Sequence, residues 1–310
     1  MSASAHNGKL LNSNRAAHRR ALILMIIAPA LWSIAGVVTR HLSPELQAQG
    51  RFEITLWRSV FAAIFVGGFL LFVQRDFVGS LCRAGVAGLL SGAMWATMFT
   101  CFMLALTLTS TANTLIVLAV APLTTALLAR AFLTAPIPPR TWAAIAIATV
   151  GIGAMFADSL RIESGTAALG MLIAFGAPLA SAINVVILKK RGGSVDLIPA
   201  VFLGGTISAL LVMPFAWPLM ADARDIALLA LLGFFQLGLP CMLLVIAARQ
   251  LSATEVALLA LLEVVLGPLW AWLGAGEVPS ASALFGGALV LSALLFNEMV
   301  AARRTSMARR

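Results

Sequence analysis

The chain has 310 residues, of which 61% are hydrophobic and only 11% charged, and its mean hydropathy is +1.00. A soluble domain carries about a quarter charged residues, so a soluble enzyme or soluble binding module is excluded as the body of this protein. The net charge of +9 invites a nucleic-acid reading, but the basic residues lie at the chain ends and in short loops, and no soluble domain is left to hold a base-reading surface.

Residues 1–20 form a polar tail carrying Lys9, Arg15, Arg19 and Arg20. The first apolar stretch, 21–39, contains Ala30-Leu-Trp-Ser33 and runs into Thr39-Arg40-His41 with no small-x-small cleavage site, so it is expected to be retained. The second, 54–73, opens with Leu56-Trp57-Arg58. Arg58 lies just inside its outer end, where the guanidinium either attracts a carboxylate or snorkels to the interface; snorkelling is the expected behaviour. In the third, 84–106, Met94, Met98, Phe99 and Phe102 surround Trp95. Such a wall suits an aromatic or apolar ligand, or is bulk packing. Thr97 and Thr100 are expected to bond back to their own helix.

The fourth stretch, 112–133, begins at Asn113-Thr114, expected helix caps, and contains Ala121-Pro122-Leu123; the fifth spans 141–157. The sixth, 166–188, carries Pro178, Ser181 and Asn184, the last two one turn apart. Stretches at 196–217 and 226–248 follow, the latter with Gln236 four residues before Pro240. The ninth, 253–275, holds Leu262-Glu263 and Gly267-Pro268-Leu269-Trp270; the tenth, 281–300, holds Gly286-Gly287, and 301–310 is a basic tail.

A bilayer core about 30 Å thick is crossed by about 20 helical residues, so each of the ten stretches has spanning length. Outer-membrane strands alternate apolar and polar residues, whereas Ala112–Leu133 and Ala253–Leu273 are apolar on every side. Helices are therefore expected. With the N-terminus in the cytoplasm, the tails and loops on that side hold 16 Lys and Arg against 5 on the other. The positive-inside rule then places both termini in the cytoplasm and favours an even number of spans.

The halves resemble each other. Ala30-Leu-Trp-Ser33-Ile-Ala-Gly36-Val-Val meets Pro178-Leu-Ala-Ser181-Ala-Ile-Asn184-Val-Val 148 positions later, and Pro122-Leu123 is matched by Pro268-Leu269. Five spans per half is odd, so the second half enters the membrane inverted, a common transporter plan with the site at the interface of the halves. The expected fold is an all-α polytopic membrane bundle of ten transmembrane helices in two inverted five-helix repeats. The repeats are 21–157 and 158–300, with cytoplasmic tails 1–20 and 301–310.

The motifs at Ala30–Ser33, Leu56–Arg58, Ala121–Leu123, Leu262-Glu263, Gly267–Trp270, Gly276-Glu277-Val278-Pro279 and Gly286-Gly287 resemble those of the drug/metabolite transporter superfamily, specifically its EamA-type members with two five-helix repeats. The resemblance covers about residues 21 to 300. Arg130-Ala131 stands where the first repeat usually has Gly-Glu, so a matching role for that Glu in both halves does not carry over. The resemblance implies a ten-helix bundle that exports small metabolites or drugs across a bacterial inner membrane; within it, the chain is similar to YddG-type aromatic amino acid exporters.

Six residues are the substrate-binding candidates. Glu263 lies mid-span, where a carboxylate costs about 2.5–3.5 kcal/mol on insertion scales and so should face the bundle interior. Ala260, Gly267 and Trp270 share its helix face. Glu263 would bind a ligand cation or exchange a proton, or lock helices together. Gln236, Ser33, Ser181 and Asn184 would line a central site or serve as helix-packing polar contacts, and Trp95 would take an apolar moiety. Pro122, Pro240, Pro268, Gly151/Gly153 and Gly286/Gly287 are expected bends or close approaches.

No GxxxxGK[ST], HExxH or GxSxG motif occurs, and His6, His18 and His41 have no ligand partners. No catalytic residue, metal or cofactor is expected. Cys82, Cys101 and Cys241 form no CxxC motif, and no disulfide is expected. The partners are a small-molecule substrate, the lipid bilayer and, through Glu263, protons. The function expected is alternating-access export of small amphipathic metabolites, amino acids with apolar or aromatic side chains foremost. The alternatives are a broad exporter of lipophilic cations and a non-transporting membrane subunit.

Overall fold

A computed structural model describes residues 2–133, 138–158, 165–191, 198–247, 250–251 and 253–308. Arg161, Arg249, Arg309 and Arg310 of the charge count, and Ser252, lie outside the described residues, as does 159–164 just past the expected boundary between the halves.

Every regular element among the described residues is helical. The helices are α1 (Ser2–Trp32), α2 (Ala35–Thr39), α3 (Pro44–Gln49), α4 (Arg51–Gly68), α5 (Phe77–Leu108), α6 (Thr111–Leu118), α7 (Ala121–Leu133) and α8 (Pro139–Asp158). They continue as α9 (Gly165–Ala174), α10 (Gly176–Arg191), α11 (Ile198–Val212), α12 (Ala223–Leu231), α13 (Leu239–Ala247), α14 (Ala253–Ala275) and α15 (Ala281–Ala308).

Among the described residues, seven stretches are long and apolar enough to cross a bilayer: Ala16–Thr39, Arg51–Val73, Phe77–Leu108, Thr111–Phe132, Gly165–Asn184, Ile198–Phe215 and Ala223–Ala247. Leu262–Ala275 and Ala281–Asn297 are shorter apolar helices. The fifth predicted stretch lies on α8.

Several spans are interrupted where the backbone loses a donor. Pro122 and Pro178 have no N–H to offer the carbonyl four residues back. The chain turns just ahead of them, at Ala119-Val120 between α6 and α7 and at Phe175 between α9 and α10. Pro240 follows a π-helical segment, Leu232–Gly238, that contains Gln236. Pro268 instead lies inside an unbroken α14. The first span turns at Ser33-Ile34, where Ser33 Oγ donates to Ala30 O at 2.7 Å and competes with the helix ladder.

The cap of α6 is Ser110, not Asn113 or Thr114: Ser110 has the extended backbone of an N-cap and accepts from Asn113 N at 3.1 Å, whereas Asn113 and Thr114 are already helical. Thr97 bonds back to Ala93 O as expected, but Thr100 reaches across to Ser208 Oγ at 2.8 Å, and Ser208 also meets Ser59 Oγ at 3.0 Å. These hydroxyls join α4, α5 and α11. Of the glycine pairs, Gly151 lets α8 approach α15: a Cβ there would lie 2.8 Å from Gly286 O, while Gly153 faces open space.

Helix pairing decides which residues meet. α4 packs on α11 and on the π-helical segment before α13; α5 packs on α9, α10 and α11; α1 packs on α13 and α14. α10 packs on α7, α14 on α6, and α15 on α8.

One end of the bundle is tied by charge. Gly276, with φ of 69°, turns the chain back after α14 and presents Glu277 to its neighbours. Arg40 donates to Glu277 Oε2 at 2.9 Å, to Leu106 O at 3.2 Å and to Thr109 O at 3.0 Å, and Thr111 Oγ1 also donates to Glu277. At the same end Ser43 donates to Asp225, and the buried Glu53 carboxylate accepts from Met220 N and Ala221 N.

Candidate functional site

The polar centre of the bundle is built around a residue expected at the interface. Arg58 does not snorkel: at 1% exposure it is the largest fully buried side chain among the described residues. Its position on α4, between α5 and the π-helical segment, closes off the path to water that snorkelling needs. Its Nε donates to Gln236 Oε1 at 2.9 Å and its Nη1 to Phe99 O at 3.4 Å, and the guanidinium carbon sits 5.3 Å from the centre of the Phe102 ring. The last contact has cation–π geometry. Gln236, also 1% exposed, passes the chain on, its Nε2 donating to Trp32 O at 3.3 Å. The Trp32 side chain packs into the same apolar cluster as buried Cys241.

Gln236 reaches Arg58 because the π-helical segment adds a residue to the turn ahead of Pro240. Such turns occur often at functional sites. The neutral carboxamide thus faces a cation 178 positions away in sequence.

Glu263 lies on α14, half-buried. No hydrogen bond or ion pair joins Glu263 to Arg58 among the described residues. The face of α14 that carries it turns toward the first span: Trp270 Nε1 donates to Ser33 Oγ at 3.1 Å, and a Cβ on Gly267 would lie 3.8 Å from Ser33 O. A chain of contacts therefore runs from Arg58 through Gln236 to Trp32, beside Ser33, and from Ser33 to Trp270 on the α14 face that carries Glu263.

The other three candidates stand apart from this cluster. Trp95, 6% exposed, stacks at 5.4 Å on Phe99, the residue whose carbonyl Arg58 uses. Its Cβ abuts Gly204 of α11, and its indole Nε1 has no partner among the described residues. Asn184 on α10 is 7% exposed with its Oδ1 likewise unpartnered. Ser181, one turn earlier on the same helix, is half-buried. The structure brings Trp95 within one ring of the cluster through Phe99. It places Ser181 and Asn184 on α10, across α5 from α11.

Sequence reasoning missed Arg58 as a central residue. The signal was present, a lone guanidinium in an apolar stretch, but its burial depends on neighbours from α5 and from the segment around Gln236.

Chemically, the centre combines a fixed cation, an amide that orients it and the rings of Phe99, Phe102 and Trp95, with the Glu263 carboxyl group on the neighbouring face of α14. No group of three or more His, Cys, Asp or Glu able to hold a metal occurs among the described residues.

The EamA-like transporter family matches residues 19–157 and 168–299. The pseudopaline exporter CntI of Pseudomonas aeruginosa, in strains UCBPP-PA14 and PAO1, is 27% identical over 279 residues, 88% of this chain and 94% of its own length. A crystal structure of a protein 18% identical superposes with a TM-score of 0.63 over 91% of this chain and 97% of that one, a likeness of fold alone.

Proposed function

The chain belongs to the EamA-like transporter family, and on that footing we propose that this multi-pass membrane transporter exports small amphipathic metabolites, amino acids with apolar or aromatic side chains foremost. It is a secondary carrier of a bacterial inner membrane, with both termini in the cytoplasm and alternating access as its mechanism. The observation that carries the reading is the buried Arg58–Gln236 pair, polar groups that a bilayer-embedded protein keeps at a cost unless they serve a ligand or ion path.

Ten spans in two inverted five-helix repeats, 21–157 and 158–300, fit the packing. Exchanging the first half's spans for the second's turns the contact of α4 with the segment before α13 into that of α11 with α5. It also turns α1 on α13 into α10 on α5, and α1 on α14 into α10 on α7, while α8 on α15 maps to itself. Two family matches, one per half, support the same plan.

In this mechanism Glu263, Gln236 and Ser33 hold the polar head of the cargo. Trp95 takes its apolar part, and Ser181 and Asn184 form the equivalent wall of the second repeat. The two halves rock about this centre. Glu263 is also the proton-exchanging group if flux is coupled to a proton gradient.

Counterflow tests the reading. Protein in liposomes loaded with unlabelled leucine or phenylalanine is expected to accumulate the labelled amino acid saturably. Exchange confined to a lipophilic cation reassigns the protein to multidrug export, and absence of any exchange from folded protein contradicts transport. Pseudopaline, named for the relative, belongs in the same panel.

A further inference from the structure

We propose that Arg58 is the carboxylate-binding residue of the transport site and that Glu263 faces the ammonium group of the same cargo, so that the carrier selects zwitterions. This assignment rests on the transport reading and deepens it.

A guanidinium has five N–H donors. Arg58 spends one on Gln236 Oε1 and one on Phe99 O, the latter at 3.4 Å, and its Nη2 amino group has no hydrogen-bond partner among the described residues. Both acceptors are neutral, and the Phe102 ring beneath adds only its quadrupole. A buried cation is normally paired directly with an anion. Here Glu263, on the α14 face that meets the first span beside Trp32, makes no hydrogen bond or ion pair with Arg58 among the described residues.

The centre thus holds a guanidinium and a carboxyl group, kept apart, each with unused hydrogen-bonding capacity. A zwitterionic cargo offers a partner to both and adds no net charge. A cation alone, or a carboxylate alone, adds a net charge to a low-dielectric site, where that is most costly. The geometry of the guanidinium favours a carboxylate in particular, because its spare donors can meet two oxygens side by side. Gln236 holds the Arg58 fork in place before the cargo arrives.

The test uses cargo triplets with one apolar body: leucine, isoamylamine and isocaproate, and phenylalanine, phenethylamine and hydrocinnamate. Each competes against labelled leucine or phenylalanine in counterflow with the full-length protein. The zwitterion of each set is expected to compete at concentrations about thirtyfold or more below the amine and the acid. Arg58→Gln is expected to abolish exchange, and Arg58→Lys to retain it with a raised half-saturation concentration, because the charge stays but the fork is lost. A folding check by thermal unfolding accompanies both variants, and the Lys variant keeps the test decisive if the Gln variant does not fold. Amines that compete as well as the amino acids, or Arg58→Gln that exchanges like the parent, overturn the assignment while leaving transport intact. No exchange by the parent protein with any of the six removes the transport reading and the assignment with it.

Discussion

Arg58 Nε donates a 2.9 Å hydrogen bond to Gln236 Oε1 across 178 positions of sequence, in a place where both side chains are 1% exposed. It ties α4 to the π-helical segment before α13. Replacing Gln236 by Leu leaves a charged donor buried without its acceptor, and is expected to cost about 1.5–3 kcal/mol, read as a lowered Tm in detergent. Gln236→Glu does the opposite: it gives Arg58 a resident carboxylate. That variant is expected to remain folded and to need more cargo for half-maximal exchange. A Gln236→Leu protein as stable as the parent would contradict the bond's role.

At the far end of the bundle, Arg40 and Glu277 pair at 2.9 Å with side-chain exposures of 25% and 18%. A double-mutant cycle of Arg40→Ala and Glu277→Gln is expected to give a coupling energy of about 1 kcal/mol or more, because the pair is partly shielded and reinforced by Thr111 and two backbone carbonyls. Additive losses would show that each residue acts without the other.

Two glycines on α8 make a paired test of packing. Gly151→Ala puts a methyl group 2.8 Å from Gly286 O, and rigid backbone cannot yield as a side chain does, so a loss of about 1–3 kcal/mol is expected. Gly153 faces open space. Ala there is expected to be neutral or to stabilise the helix by up to about 1 kcal/mol. Equal effects at both positions would contradict the α8–α15 contact.

The positions of the apolar helices were largely legible in the sequence, and their interactions were not. Length and hydropathy located the apolar stretches because a bilayer imposes both, and Pro122 foretold the turn ahead of it. Periodicity reports which face of a helix a residue occupies, not what lies opposite. Arg58 therefore read as an interfacial residue, and its burial came only with Phe99, Phe102 and Gln236 from other spans. Thr100 read as a residue bonded to its own helix for the same reason. Pro268 read as a bend but lies in a continuous helix. The face of α14 shared by Glu263, Gly267 and Trp270 was legible, and the latter two meet Ser33 there.

Topology can be read from a native thiol. Cys82 is exposed near the start of α5, an end expected to face the cytoplasm, whereas Cys241 is buried. With Cys101 and Cys241 replaced by Ala, a membrane-impermeant maleimide is expected to label inside-out vesicles and to spare intact cells. Labelling of intact cells would invert the orientation inferred from charge.

The central claim is that cargo passes through the bundle centre and is held there by Arg58 and Glu263. The most direct measurement is counterflow of labelled leucine and phenylalanine by the parent and by Glu263→Gln, at matched protein content in liposomes and across a range of pH. A folded Glu263→Gln protein is expected to lose most of its exchange, or to lose the parent's dependence on pH. Exchange unchanged at every pH would place the transport path elsewhere in the molecule.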